Sequence, residues 1–155
     1  MRYYLIDRII EMEKNVRAKG IKNCSMTEDF FTEHFPQQPV MPGLLMMEGL
    51  VQLSSWLISY STDFKKKGLL QNISVAKYWN LATPGDQLTL TTEIKNRKDG
   101  PDTEMDFKGT VKRDDQKIAT AQFTLRVVDL EIYESETGAR KIFSILINEI
   151  EGSRQ

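Results

Sequence analysis

One cysteine, one histidine and no long unbroken apolar run: what this 155-residue chain has little of narrows its chemistry first. A lone Cys24 cannot form an intrachain disulfide, and cysteine this sparse suits a reducing compartment. With His34 as the only histidine, a structural zinc site lacks its usual ligands, and no metal is expected. Neither sign of charge predominates. The 21 Lys and Arg against 22 Asp and Glu give a net charge of -1, with no global attraction to nucleic acid or to anionic membranes. The most apolar stretch, residues 44–58, is interrupted by Glu48, Gln52 and serines and is too short and too polar to span a bilayer. The N-terminal "MRYYLIDRIIEMEK" is broken by Asp7, Arg8 and Glu11, so it has no signal-peptide core, and a cytoplasmic location is expected.

What is present reads as one domain with an ordinary share of apolar residues, 40%. Residues 3–12 and 16–24 mix β-branched, aromatic and charged side chains, predicting two strands with a turn near Lys14 and Asn15. A proline-rich loop follows. Pro42 and Gly43 suit a helix start, and from there to about Tyr60 good helix formers are apolar on almost every side, the mark of a buried helix. Lys65, Lys66 and Lys67 fit the negative end of that helix, with Gly68 as its stop. Beyond, "QLTLTTEIK", "EMDFKGTVKR" and "IATAQFTLRVV" alternate with period two, predicting antiparallel strands with one buried face. The economical cover for such a helix is a sheet wrapped around it, an α+β fold. Residues 131–155 read as a C-terminal extension of the domain formed by 1–130. There Phe143, Leu146, Ile147 and Ile150 fit one face of a short helix, and the β-branched content equally allows a strand.

The stretch that carries chemistry is "HFPQQPVMPGLLMMEGLVQ", residues 34–52. It holds the only histidine, a Pro-Gly pair at the helix start, and Glu48 among apolar neighbours, where burial would make a carboxyl hold its proton. Taken alone, His34 is more often a structural loop residue, and Glu48 also fits a buried carboxylate satisfied by Gln52 or by a backbone group. Met46 and Met47 read as core or cavity lining, and Cys24 as a small buried residue.

In type and spacing, His34, Phe35, Pro36, Pro39, Val40, Met41, Pro42, Gly43, Glu48 and Gln52 resemble the signature of the β-hydroxyacyl-[acyl-carrier-protein] dehydratases of hot-dog fold. Weaker agreement extends over about residues 3–129, and the glutamate at the acidic position points to the FabZ type. The resemblance implies removal of water from (3R)-3-hydroxyacyl thioesters to give trans-2-enoyl thioesters in fatty acid biosynthesis, with no organic cofactor. His34 is then the base for the C2 proton and Glu48 the acid for the departing hydroxyl. Gly43 N–H, at the positive helix end, meets the developing oxyanion. Gln52, one turn beyond Glu48, orients it. The resemblance further implies that the Val40 carbonyl orients His34, and that Phe35, Met41 and Leu45 line an acyl tunnel. It implies a homodimer in which His34 of one subunit faces Glu48 of the other, with trimers of dimers among the relatives. The partner it implies is an acyl carrier protein bearing a phosphopantetheine-linked chain.

The chain departs from that pattern at four places. Glu33 and Gln37 replace glycines, which predicts an altered loop backbone. Trp79 and Asn80 in "KYWNLATPGD" replace the arginines that usually meet the acidic carrier. These substitutions keep two alternatives open: a dehydratase of a specialised polyene or polyketide pathway, or a non-catalytic acyl-binding hot-dog subunit. A hot-dog thioesterase fits the His-Phe-Pro block less well.

Overall fold

A helix apolar around most of its circumference needs cover around most of it, and the sheet supplies that cover. The computed structural model describes residues 3–100 and 103–148. The strands are β1 (Arg8–Glu13), β2 (Arg17–Asn23), β3 (Lys66–Tyr78), β4 (Gln87–Lys98), β5 (Glu104–Arg113) and β6 (Gln116–Asp129). They form one antiparallel sheet in the order β1-β2-β4-β5-β6-β3. The short α1 (Asp29–Glu33) precedes the long α2 (Gly43–Ser61), which runs along the inner face of the sheet. This is the hot-dog arrangement that the resemblance implies. Among the described residues, no helix is long and apolar enough to cross a membrane.

The alternation read from the sequence sets the inner face. Leu88, Leu90 and Thr92 of β4, Met105, Phe107 and Val111 of β5, and Ala119, Ala121, Phe123 and Leu125 of β6 are all buried. They pack against Met46, Met47, Leu50, Leu53, Leu57 and Ile58 of α2. A polar crossing between α2 and β4 is closed by hydrogen bonds. Ser54 Oγ donates to the Leu50 carbonyl at 2.8 Å, which leaves Thr92 Oγ1, 2.6 Å away, to donate back to Ser54.

Three expectations are corrected here. The helix is not covered all round: Leu44, at 75% exposure, and Glu48 lie in the open, flanked by the half-buried Gln52 and Ser55. These four share one stripe, which the sheet touches only at Ser55, through Gly68 N–H of β3. Lys65–Lys67 do not end the helix. It stops at Ser61, Asp63 and Phe64 reverse the chain at φ 52° and 58°, and Lys66 already belongs to β3. The lysines instead pair with acids downstream: Lys65 with Glu136, Lys66 with Asp129 and Lys67 with Glu134. Gly68 sits inside the strand because a Cβ there would lie 2.6 Å from Leu125 Cδ1 and 2.8 Å from Ile58 Cδ1. Finally, β1 begins at Arg8 and not at residue 3, because the backbone of Tyr3 and Leu5 bonds to the Gln52 side chain and not to a strand.

After β6, a single 3-10 turn (Leu130–Ile132) leads into α3 (Glu136–Leu146), capped by Ser135 Oγ accepting from Gly138 N–H at 3.0 Å. Phe143 and Leu146 are buried and Ile147 partly so, which decides for helix over strand; Ile150 lies outside the described residues. The Phe143 ring meets Trp56, Tyr60 and Phe64 at centroid distances of 5.8, 5.6 and 5.2 Å. Arg140 adds a pairing to Asp63 and Glu136 and lies over the Phe64 ring.

Two measurements check this packing. Phe143→Ala removes the ring that joins α3 to α2 and should cost about 3 kcal/mol of unfolding free energy, read by denaturant titration. Cys24 is 3% exposed, and burial, reinforced by the Glu28 carboxylate, pushes its thiol up to about 11. Its alkylation by iodoacetamide at pH 8 should therefore be slow in the native protein and fast after unfolding.

Candidate active site

The loop after α1 is folded around His34. Its N–H donates to the Phe30 carbonyl at 3.1 Å, and its own carbonyl accepts from Val40 N–H at 2.8 Å. Phe35 and Gln38 exchange backbone hydrogen bonds at 3.2 and 3.1 Å, which closes the intervening turn. Met41 N–H reaches the Ala82 carbonyl at 2.8 Å, so the far end of the loop is held by the chain between β3 and β4. The lost glycines leave no strain, since neither Glu33 nor Gln37 has positive φ. Glu33 simply ends α1.

The imidazole is oriented by a carbonyl. His34 Nδ1 lies 3.1 Å from the buried Val40 oxygen. A carbonyl only accepts, so Nδ1 must carry the hydrogen, and in the neutral ring Nε2 is left as the basic nitrogen. The ring stacks on Phe35 at a centroid distance of 4.3 Å. It borders a cavity of about 420 Å³ whose wall is largely apolar: Phe35, Val40, Met41, Leu44, Met46 and Leu81.

Gly43 also borders that cavity, as the first residue of α2. Its N–H is among those at a helix start without an intrahelical acceptor, at the positive end of the dipole. The Tyr78 ring lies against it so closely that a Cβ at residue 43 would be 2.6 Å from the ring, which is why glycine stands there. Burial pushes the Tyr78 phenol up, keeping it a neutral donor in the cavity wall. Sequence reading missed Tyr78. Its neighbours Trp79 and Asn80 drew attention as departures, and nothing in "KYWN" signals a ring laid on a helix start.

Glu48 is elsewhere. It does not border the His34 cavity, and it is exposed where burial was expected, because it stands on the stripe of α2 that the sheet leaves open. Gln52 does hold it as expected: Nε2 donates to Glu48 Oε1 at 3.1 Å. The same amide donates to the Tyr3 carbonyl at 2.9 Å, while its oxygen accepts from Leu5 N–H at 3.0 Å, so its orientation is fixed from the N-terminal segment. Leu45 is half-buried against the core, outside the cavity that Phe35 and Met41 border. Within one chain, then, His34, Phe35, Val40, Met41 and Gly43 come together, whereas Leu45, Glu48 and Gln52 do not join them. Trp79 is 53% exposed, with Lys117 Nζ 6.0 Å from its ring. Among the described residues, no group of three or more His, Cys, Asp or Glu side chains could hold a metal ion.

Comparison with known proteins gives a consistent answer. A 3-hydroxyacyl-[acyl-carrier-protein] dehydratase FabZ of Thermoanaerobacter is 40% identical over 121 residues, covering 77% of this chain and 83% of its own. The enzyme of the same description from Ralstonia nicotianae is 39% identical over 127 residues, covering 79% and 76%. Among solved structures, smu.793 from Streptococcus mutans, bound to acetyl CoA, superposes with a TM-score of 0.61 at 18% identity, over 83% of this chain and 94% of that one. The dehydratase heterocomplex ApeI:P from Xenorhabdus doucetiae does so with a TM-score of 0.56 at 19% identity, over 75% and 92%; both likenesses concern the fold. The FabA-like domain matches residues 1–122, and the chain belongs to that family.

Proposed function

We propose that this protein is a 3-hydroxyacyl-[acyl-carrier-protein] dehydratase of fatty acid biosynthesis, acting in the cytoplasm as a homodimer without metal or organic cofactor. The observation that carries this reading is the His34–Val40 contact, which leaves a basic Nε2 at an apolar cavity beside a helix N-terminus. His34 Nε2 takes the C2 proton, and charge moves onto the thioester oxygen, which Gly43 N–H stabilises. The C3–O bond breaks as a protonated Glu48 gives its proton to the hydroxyl, and water leaves. Transfer of the C2 proton from His34 back to Glu48 restores both groups. Phe35 and Met41 line the path of the acyl chain beside His34, Leu45 lines it from the partner's helix next to Glu48, and Gln52 aims Glu48.

Because Glu48 stands on the open stripe of α2, the acid that serves each His34 comes from the partner subunit. Two features support a homodimer. Leu44, 75% exposed, calls for cover next to Glu48. The outer edge of β3, 13 residues without proline, presents backbone groups ready to pair with a second strand.

Docking of the carrier protein falls to the surface around Trp79. Lys65–Lys67 are each paired with an acid and do not form a free basic patch. Trp79, with Lys117 beside it, offers apolar area in place of the usual arginines.

Three outcomes are expected. Incubation with crotonyl thioesters should remove the conjugated enoyl absorbance by hydration without releasing free thiol; thiol release would favour a thioesterase. His34→Ala and Glu48→Gln should each lower turnover by about 100-fold or more, and Glu48→Gln should leave the unfolding curve unchanged. Trp79→Ala should raise KM for a carrier-bound substrate more than for its N-acetylcysteamine thioester, and equal effects would remove Trp79 from docking.

A further inference from the structure

The helix face that carries Glu48 continues past Gln52. Ser55 and Ser59 follow at i+7 and i+11, so all four side chains share one stripe, reaching ~16 Å from Glu48 at 1.5 Å per residue. Beyond Gln52 this stripe floors a second cavity, of about 260 Å³, separate in lining from that of His34. Its character is different. Where the first is walled by aliphatic and aromatic side chains, this one presents Ser55, Ser59, Lys67, Tyr133 and Glu134 alongside Trp56.

Several of those polar groups have capacity to spare. Ser55 Oγ accepts from Gly68 N–H at 3.0 Å, which leaves its own O–H to donate. Ser59 Oγ donates to the Lys66 carbonyl at 2.9 Å, which leaves its oxygen to accept. Lys67 Nζ makes one hydrogen bond, to Glu134 Oε1 at 3.3 Å, in a pair whose side chains are only 21% and 22% exposed. An ammonium has three donors and a carboxylate two acceptor oxygens, so both keep positions open. A plain alkyl chain seated here would strip water from these groups and return nothing, whereas a hydroxyl, keto or amide group would replace the lost bonds. Tyr133 and Glu134 come after residue 122, where the family match ends, so this wall is supplied by the chain's own C-terminal segment.

We propose that this cavity is a specificity subsite for the far end of the acyl thioester, selecting chains that carry a hydrogen-bonding group there over plain alkyl chains. The inference rests on the dehydratase reading: a chain whose reacting carbons lie at Glu48, and which runs on beyond the walls that Phe35, Met41 and Leu45 supply, has this stripe ahead of it.

The test compares kcat/KM for the N-acetylcysteamine thioesters of 3,11-dihydroxydodecanoate and 3-hydroxydodecanoate, chains long enough to carry the second hydroxyl from Glu48 to the level of Ser55. The dihydroxy substrate should be preferred by at least about tenfold, the scale of a hydrogen bond to a charged group. In Lys67→Met/Glu134→Leu, which removes both charges and leaves neither unpaired, the preference should fall below one. Glu134→Gln, closer in shape, should move the ratio the same way by less. A wild-type preference for the plain chain, or a ratio unmoved in the double variant, overturns the subsite. If neither substrate is dehydrated, the dehydratase reading fails, and the subsite is then judged by calorimetry with the saturated 11-hydroxydodecanoyl and dodecanoyl thioesters. Tighter binding of the hydroxylated one, lost in the double variant, supports it; equal affinities overturn it.

Discussion

The constraint on which the rest depends is the incomplete enclosure of α2. A helix with this much apolar surface is stable only when covered, and six antiparallel strands cover all of it but one stripe. Everything left on that stripe has a use. Leu44, with half-buried Leu45 beside it, presents apolar surface, Glu48 presents a carboxyl, Gln52 fixes that carboxyl, and Ser55 and the buried Ser59 border a cavity beyond it. A second copy laid along the stripe would bury the leucines and enclose the glutamate at once. In the proposed dimer, folding and function would thus draw on the same surface.

His34 is prepared differently. It is positioned entirely within its own chain, by a loop that returns Val40 to the histidine through two contacts, one backbone and one to the ring. A carbonyl partner settles the tautomer of the neutral ring without adding a charge to the apolar wall. Close approach does the remaining positioning. The Tyr78 ring on Gly43 fixes where the helix start lies relative to the cavity, with the glycine's missing side chain as the condition.

Much of this was legible in the residues. The period-two strands β4, β5 and β6 and the helix start at Pro42-Gly43 are signalled locally, as are the Gln52–Glu48 hydrogen bond and, in the His34, Glu48 and Gln52 spacing, the family. What was not legible depends on partners distant in sequence. Lys65–Lys67 look like a helix end because lysines favour one, yet their acids lie at Asp129, Glu134 and Glu136. Gly68 looks like a stop, yet it is a clearance for Leu125 and Ile58. Glu48 looks buried because its neighbours are apolar, but a sequence does not say which apolar residues face the chain's own sheet and which face another copy.

The claim that each site is shared between two subunits is tested most directly by complementation. His34→Ala and Glu48→Gln proteins, each inactive, are unfolded, mixed in equal amounts and refolded together, and mixed dimers are confirmed by native mass. Each mixed dimer then carries one intact site and one doubly damaged site, so activity should return to roughly a quarter of the wild-type value, half the dimers being mixed. Mixed dimers with no recovered activity would contradict the shared site and put His34 and Glu48 to work within one chain.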